Sequence, residues 1–246
     1  MEEKLSVKSN ALEVLDKQLR NRAKKEQYGF IVLSSATDPY LQIEKDTRLT
    51  RSILELIAQY RFPVHVITKS DLIVRDLDLL KKINENSILP PDLEPKLKHK
   101  ALITFSFSTL DNAIGKIFEP GATPPDRRLE TLKQVAKAGF HSGVSLMPLV
   151  PFVTDSPEQL ENMFVNFKEA GASYIFPASI TLFGDGAADS KTLMLKAISK
   201  HYPHLSEKYK DLFRYGFQIS SSYRDDLQKL TDSLCAKYAI PNRIVS

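Results

Sequence analysis

Residues 30–50 read FIVLSSATDPYLQIEKDTRLT, and the reading of this stretch decides the fold. An apolar run, residues 30–33, is bounded by small polar residues and by Asp38-Pro39, the pattern of a buried strand running into a loop. Behind Thr47 and Thr50, the residues Ile53, Leu54, Ile57 and Ala58 fall at helical spacing, so a helix follows. The unit is therefore strand, polar loop, helix. In parallel α/β folds, ligands meet the edge where strands end and helices begin, which places Ser34, Ser35, Thr37 and Asp38 at the mouth of a site. The competing interpretation is plainer: Asp38-Pro39 makes a turn, and Thr47 or Thr50 caps a helix.

The same unit recurs outward along the chain. Leu12, Leu15 and Leu19 predict an amphipathic helix over residues 10–25. After the first unit, VHVITKS at 64–70 is a second strand ending in Thr68, Lys69 and Ser70, with Asp71 placed to cap the next helix. Three prolines among charges make residues 88–100 a loop, and ALITFSFS at 101–108 is a third strand carrying Ser106 and Ser108 at its end. A short helix over 110–118 stops at Glu119-Pro120-Gly121, and Pro124-Pro125 opens a longer one that Gly139 ends. Residues 143–150 and 173–182 supply two more strands, separated by a helix that begins at Ser156-Pro157 and stops at Gly171. Beyond Asp189 only helices are expected, over 193–201, 205–215 and 223–238. Five strand-helix repeats with a helical tail mean parallel strands and right-handed crossovers, as an open sheet or a partial barrel; the eight repeats of a closed barrel are not there. The expected organisation is an N-terminal helix (1–27), a barrel segment (28–186) and a C-terminal helical extension (187–246) packed on the same domain.

Composition narrows the chemistry. With 246 residues and 42% apolar content the chain can bury a substantial core. A net charge of +4 permits an anionic partner without requiring one, and the basic clusters at 17–25 and 96–100 read as solvated faces. No apolar run reaches membrane-span length and MEEKLSVKSN has no signal-peptide core, so a cytoplasmic protein without membrane attachment is expected. The single cysteine, Cys235, rules out an internal disulfide or a cysteine-built metal cluster from these residues. No G-x-G-x-x-G, P-loop, H-E-x-x-H or G-x-S-x-G pattern occurs, and the five histidines have no ligand spacing. What is left is a polar small-molecule mouth with one carboxylate, Asp38, and one cation, Lys69. Lys69 can be read as a Schiff-base nucleophile of a barrel aldolase, or as the charge partner of a bound carboxylate or of Asp38.

Taken together, the blocks SSATDPYLQIEKDTRLTRSILELI, VHVITKSDLIVRDLDLL, ITFSFSTLD, FEPGATPPDRRLETLKQVAKAG and LMPLVPFVTDSPEQLE, with LCAKYAIPNRI near the C-terminus, resemble the radical S-adenosylmethionine enzymes of the spore photoproduct lyase-like group, also called DNA repair photolyase-like. The resemblance runs from about Leu5 to the end of the sequence. It implies a (β/α)6 partial barrel in which three cysteines of a CxxxCxxC loop hold a four-iron four-sulfur cluster, and the cluster binds and reductively cleaves S-adenosylmethionine. Here that loop and the strand before it are missing, so the expected fold is an incomplete (β/α)6 barrel lacking its first unit. The expected protein is a radical S-adenosylmethionine lyase-like fragment that is inactive alone; the alternative is a degenerate, non-catalytic barrel that binds a ligand or partner. By position, the resemblance puts Thr37 and Asp38 beside the methionine end of the cofactor, Lys69 near its carboxylate and Ser106 near its ribose. With Ser35 these are the cofactor-binding candidates; no catalytic residue and no metal ligand is assigned. Ala36 stands where some lyases of the group carry a reactive cysteine. Glu119 and Arg127-Arg128 also match the family blocks and read as a structural ion pair. Nucleic acid as partner is implied by the family alone, and a missing strand would expose an apolar sheet edge through which two chains could pair.

Overall fold

The computed structural model describes residues 8–34, 37–214 and 216–244. Five strands form one sheet in the order β1-β2-β3-β4-β5, the order in which they occur in the chain. Parallel pairing holds between β1 and β2 and between β4 and β5. This is the stepwise α/β order that the repeats predict. The described residues fall into two compact units, one reaching to Thr68 and resuming over Leu72–Ile103, the other made of Lys69–Asp71 and Thr104–Ile244.

In the first unit, helix α1 (Ala11–Lys24) buries Leu19 and packs on α3 (Leu49–Gln59), whose Leu54, Ile57 and Ala58 face the core. Strand β1 (Ile31–Leu33) sets Ile31 beside Val64 and Leu33 beside Val66 of β2 (Val64–Thr68). It is shorter and more open than its apolar run predicts: β1 comprises three residues, and the side chain of Val32 is exposed. A short helix, α2 (Glu44–Thr47), precedes α3 and was not expected; Arg48, at φ 49°, turns the chain between the two. Thr50 is not a helix cap. Its hydroxyl donates to the Pro39 carbonyl and its N–H donates to Glu44 Oε2 at 3.0 Å. Glu44, nearly fully buried, also accepts from Arg75 at 2.8 Å, and the fully buried Asp76 accepts from both Arg75 and Arg51. Burying these charges is tolerable because each is paired and hydrogen-bonded.

Asp71 does not cap α4 (Leu77–Asn86), because a 3-10 turn, Asp71–Asp76, intervenes. Asn84 of α4 accepts from the N–H groups of Lys100 and Ala101 and so fixes the entry to β3 (Ala101–Phe107).

The second unit follows its sequence signals closely. Helix α5 (Asn112–Phe118) starts at Asp111, whose carboxylate accepts from the N–H groups of Ala113 and Ile114. Helix α6 (Pro125–Lys137) starts on proline, and Gly139 takes up φ +85° just beyond its end. Strand β4 (His141–Leu149) pairs with β5 (Ile175–Ser179) through Val144 and Ile175. Between them, α7 (Pro157–Glu169) carries a full capping box from Ser156 and Gln159. The tail comprises α8 (Ser190–His201), α9 (Ser206–Leu212) and α10 (Ser221–Tyr238). Val150, Val153, Ile180, Leu182, Ile198, Tyr209, Phe213 and Ile219 form one buried cluster that joins this tail to the residues following β4 and β5, and α10 packs on α7 and β5.

Candidate functional site

The described candidate residues lie at or near the ends of the strands and fall into two local groups. In the first unit, Ser34 leaves β1 at φ 117°, a strained backbone for a residue with a side chain and the sort of geometry that collects at functional sites. Ser35 and Ala36 lie outside the described residues. Thr37 is exposed. Asp38 Oδ1 accepts from the Tyr40 N–H and from the Thr68 hydroxyl, each at 2.8 Å, so the carboxylate ties the loop after β1 to the end of β2. The Asp38 to Tyr40 contact is an Asx-type turn, the plainer of the two interpretations of Asp38-Pro39.

The second group gathers Lys69, Ser106, Glu119 and Arg128. Arg128, whose side chain is only 1% exposed, donates to Glu119 Oε2 at 2.7 Å, to the Thr123 carbonyl through Nε at 3.1 Å, and to the Ser106 carbonyl. Its guanidinium also lies 5.0 Å from the centre of the Phe107 ring. Glu119 is 6% exposed, and its second oxygen, Oε1, has no hydrogen-bond partner. That oxygen faces Lys69 Nζ at 3.9 Å; Lys69 itself is 35% exposed. The Lys69 carbonyl accepts from the Thr123 N–H, and Thr123 in turn donates to Asp71, which also binds Arg127. Glu119 and Arg128 thus form the structural pair the sequence led us to expect. Ser106 is half-buried and contributes its carbonyl to Arg128; Ser108 is buried with no partner for its hydroxyl.

A third feature was missed in the sequence. Phe152, Phe183 and Phe217 are 45%, 58% and 55% exposed, all in segments that follow β4 and β5. Phe183 and Phe217 pack against each other with ring centres 5.1 Å apart and planes tilted by 33°, on segments joined by the Thr181 to Gln218 bridge. Phe152 has φ 62°, and Lys208 Nζ lies 5.1 Å from its ring centre. The strained backbone of Phe152 is held by Asp155, which accepts from its N–H and from the Tyr223 hydroxyl, both at 2.7 Å. Burial raises the Asp155 carboxyl above the ordinary aspartate range, and those hydrogen bonds pull it partly back. A cavity of about 620 Å³ opens beside Phe152, Lys208 and Gln218. Pro151 and the glycines Gly184, Gly186 and Gly216 around these phenylalanines were the available signal: a large apolar residue within a turn sequence has no strand or helix to bury it.

Cys235 lies buried in α10, with its thiol pushed up to about 11 by burial and, to a smaller extent, by Asp232. It behaves as a core side chain, whereas a metal ligand needs a thiolate. One cysteine cannot make a three-thiolate set, and among the described residues no three histidine, cysteine or acidic side chains are placed to hold a metal. These residues do not fit an iron-sulfur cluster. Lys69, just beyond the end of β2, is a partly exposed cation 3.9 Å from the buried Glu119.

The fold is that of solved radical S-adenosylmethionine enzymes. A spore photoproduct lyase variant with dinucleoside spore photoproduct matches with a TM-score of 0.63 over 93% of this chain and 64% of its own, at 17% identity. SuiB of Streptococcus suis bound to S-adenosylmethionine matches with a TM-score of 0.50 over 83% of this chain and 43% of its own, at 12% identity. In sequence, an uncharacterized protein of Mycobacterium tuberculosis is 27% identical over 235 residues, 95% of this chain and 64% of that protein. No family model matches the chain. The chain therefore spans just under two thirds of the length of that relative and of the matched lyase. Five parallel strands in sequential order, without closure, are what a partial barrel of this type provides.

Proposed function

We propose that this chain forms the S-adenosylmethionine-binding portion of a radical S-adenosylmethionine lyase-like protein that acts on nucleic acid. The observation that carries the reading is Lys69: a cation at the carboxyl end of a parallel strand, in a fold matched along 93% of its length to a spore photoproduct lyase. Lys69 is the partner for the cofactor carboxylate, with Ser35, Thr37, Asp38 and Ser106 as further cofactor-binding candidates. The hydroxyls suit a sugar, and Asp38 serves chiefly by holding its loop to Thr68. When bound together with a cluster, the cofactor supplies a carbon-centred radical. The thiolates for such a cluster come from outside these 246 residues, and the chain alone is inactive.

The three exposed phenylalanines, with Lys208 beside one of them, support nucleic acid as the partner. Exposed rings with nearby cations stack bases irrespective of sequence. Calorimetric titration of the chain with S-adenosylmethionine tests the cofactor reading. Binding that weakens about tenfold or more in Lys69→Ala is the expected result, in line with the ~1.5–3 kcal/mol of a charged hydrogen bond. Unchanged binding in that variant removes Lys69 from the site.

A further inference from the structure

In the turn that follows β4, Pro151, Val153, Thr154 and Asp155 are buried, and Phe152 among them is 45% exposed. The turn is held at almost every residue. The Thr154 hydroxyl accepts from the Val150 N–H at 2.8 Å, and Asp155 takes the Phe152 N–H and the Tyr223 hydroxyl. Tyr209 donates to the Pro151 carbonyl at 2.7 Å and Gln159 to the Val153 carbonyl at 2.8 Å. A phenylalanine at φ 62° costs backbone energy, and here that cost is met without burial of the ring. Tyr223 meets the ring at 85° with centres 5.6 Å apart, which braces it without covering it. The fold thus presents one aromatic face on a fixed backbone.

The cavity of about 620 Å³ beside this ring falls in the size range of small-ligand sites. Its lining groups differ in kind. Lys208 makes no ion pair among the described residues, and its ammonium rests 5.1 Å from the Phe152 ring centre. The oxygen of Gln218 accepts from Arg224 at 2.8 Å, so what this side chain offers a ligand is its amide N–H groups. Asp211 also lines the cavity, with its carboxylate paired to Arg214. A ring face, a mobile cation and an amide donor together match a planar heteroaromatic base joined to a phosphate. An apolar anchor from a protein partner would leave the cation and the amide unpaired at the contact.

We propose that this cavity seats one unpaired nucleotide of a bound strand. The base lies against Phe152, Lys208 swings from the ring to the adjoining phosphate, and the Gln218 amide donates to an acceptor on the base. The inference deepens the nucleic-acid reading given above and rests on it. It adds the place of contact and the requirement that the nucleotide be unpaired, because a base inside a duplex is stacked on both faces and has none to offer Phe152.

The test titrates the full 246-residue chain into a fluorescein-labelled oligothymidylate of about 12 nucleotides, and into the same strand annealed to its complement, followed by anisotropy. The single strand should bind about tenfold more tightly than the duplex. Phe152→Leu, which keeps apolar bulk and removes the stacking face, should weaken single-strand binding about tenfold, within the ~1–3 kcal/mol of one stacked base. Lys208→Ala should lower the slope of log affinity against log salt by about 0.7, the share of one phosphate on a single strand; a merely structural loss would move the affinity and leave the slope. Should Phe152→Leu fold poorly, the slope in Lys208→Ala still decides. A loss below about threefold in Phe152→Leu, an unchanged slope in Lys208→Ala, or a duplex bound as tightly as the single strand each overturns the proposal and leaves the nucleic-acid reading in place. Thymidine monophosphate that displaces the strand at equal nucleotide concentration assigns the cavity to free mononucleotides and overturns the strand as occupant. If neither probe binds the parent chain, the nucleic-acid reading falls and the proposal falls with it.

Discussion

Replacing Arg128 by methionine is the most exacting test of the buried charge. The substitution preserves much of the side-chain length and removes the guanidinium that meets Glu119, the Thr123 carbonyl and the Ser106 carbonyl. Breaking a buried pair by removing one partner costs about 3–5 kcal/mol, because the remaining charge is left in a poor dielectric. Lys69, 3.9 Å from the free carboxylate oxygen, compensates part of that, while the two orphaned carbonyls add about 1–3 kcal/mol each where water cannot reach them. A net loss of about 4 kcal/mol is therefore expected. At ~2–4 °C per kcal/mol for a chain of this size, the thermal midpoint drops by about 12 °C. Urea unfolding followed by circular dichroism measures the loss, with the slope of the transition checked for constancy. Arg128→Met combined with Glu119→Leu removes both charges and should recover at least half of the deficit. A single variant within about 1 kcal/mol of the parent, or a double variant less stable than either single one, refutes the account of this pair as mutually compensating buried charge.

Three further outcomes are expected. His65 on β2 is pushed down to about 4 by burial, below the ordinary histidine value of about 6.5, so the unfolded chain takes up the proton first. Stability should fall as pH drops from about 6.5 to about 4, and urea midpoints of His65→Gln should lack that part of the slope. Phe152→Ala and Phe217→Ala should each weaken binding of a fluorescent single-stranded oligonucleotide by about 1–3 kcal/mol in anisotropy titrations without lowering the thermal midpoint; retained affinity in both removes the aromatic surface from the nucleic-acid reading. After anaerobic reconstitution with iron and sulfide the purified chain should stay colourless, and iron bound in stoichiometric proportion to sulfide would contradict the cysteine argument.

Elements with a local chemical signal were legible in the sequence. The Pro125 start of α6, the φ +85° at Gly139 and the Ser156–Gln159 capping box are each written in adjacent residues. The strand ends were legible for a similar reason, since a run of β-branched residues closing on Thr68-Lys69-Ser70 marks the place where a strand stops. Long-range partner choice was not. Glu44 sits in a charged tetrapeptide that looks solvated, and only its contacts with Arg75 and Thr50 explain why it is buried and why α2 forms. Asp71 has the right residue type for a cap, and it makes a different bond because Thr123 and Arg127, far away in the chain, reach it. The apolar run before Ser34 predicts burial, but successive side chains of a strand point to opposite faces, and Val32 lies on one that is exposed. At the candidate site, Lys69 and Ser106 were named from the sequence, yet the chain of charge from Arg128 through Glu119 depends on geometry that no spacing encodes.

The concealment of Cys235 has a practical corollary. A sulfhydryl inside α10 with its ionisation driven to about 11 will be nearly silent toward maleimides and iodoacetamides at neutral pH. A reporter dye can therefore be attached at one engineered position, such as the exposed Gln42 in the same loop as the candidate residues, without first stripping the native sulfur from the chain. Quenching or anisotropy of that dye would then follow occupancy of the mouth directly, in solution and without iron.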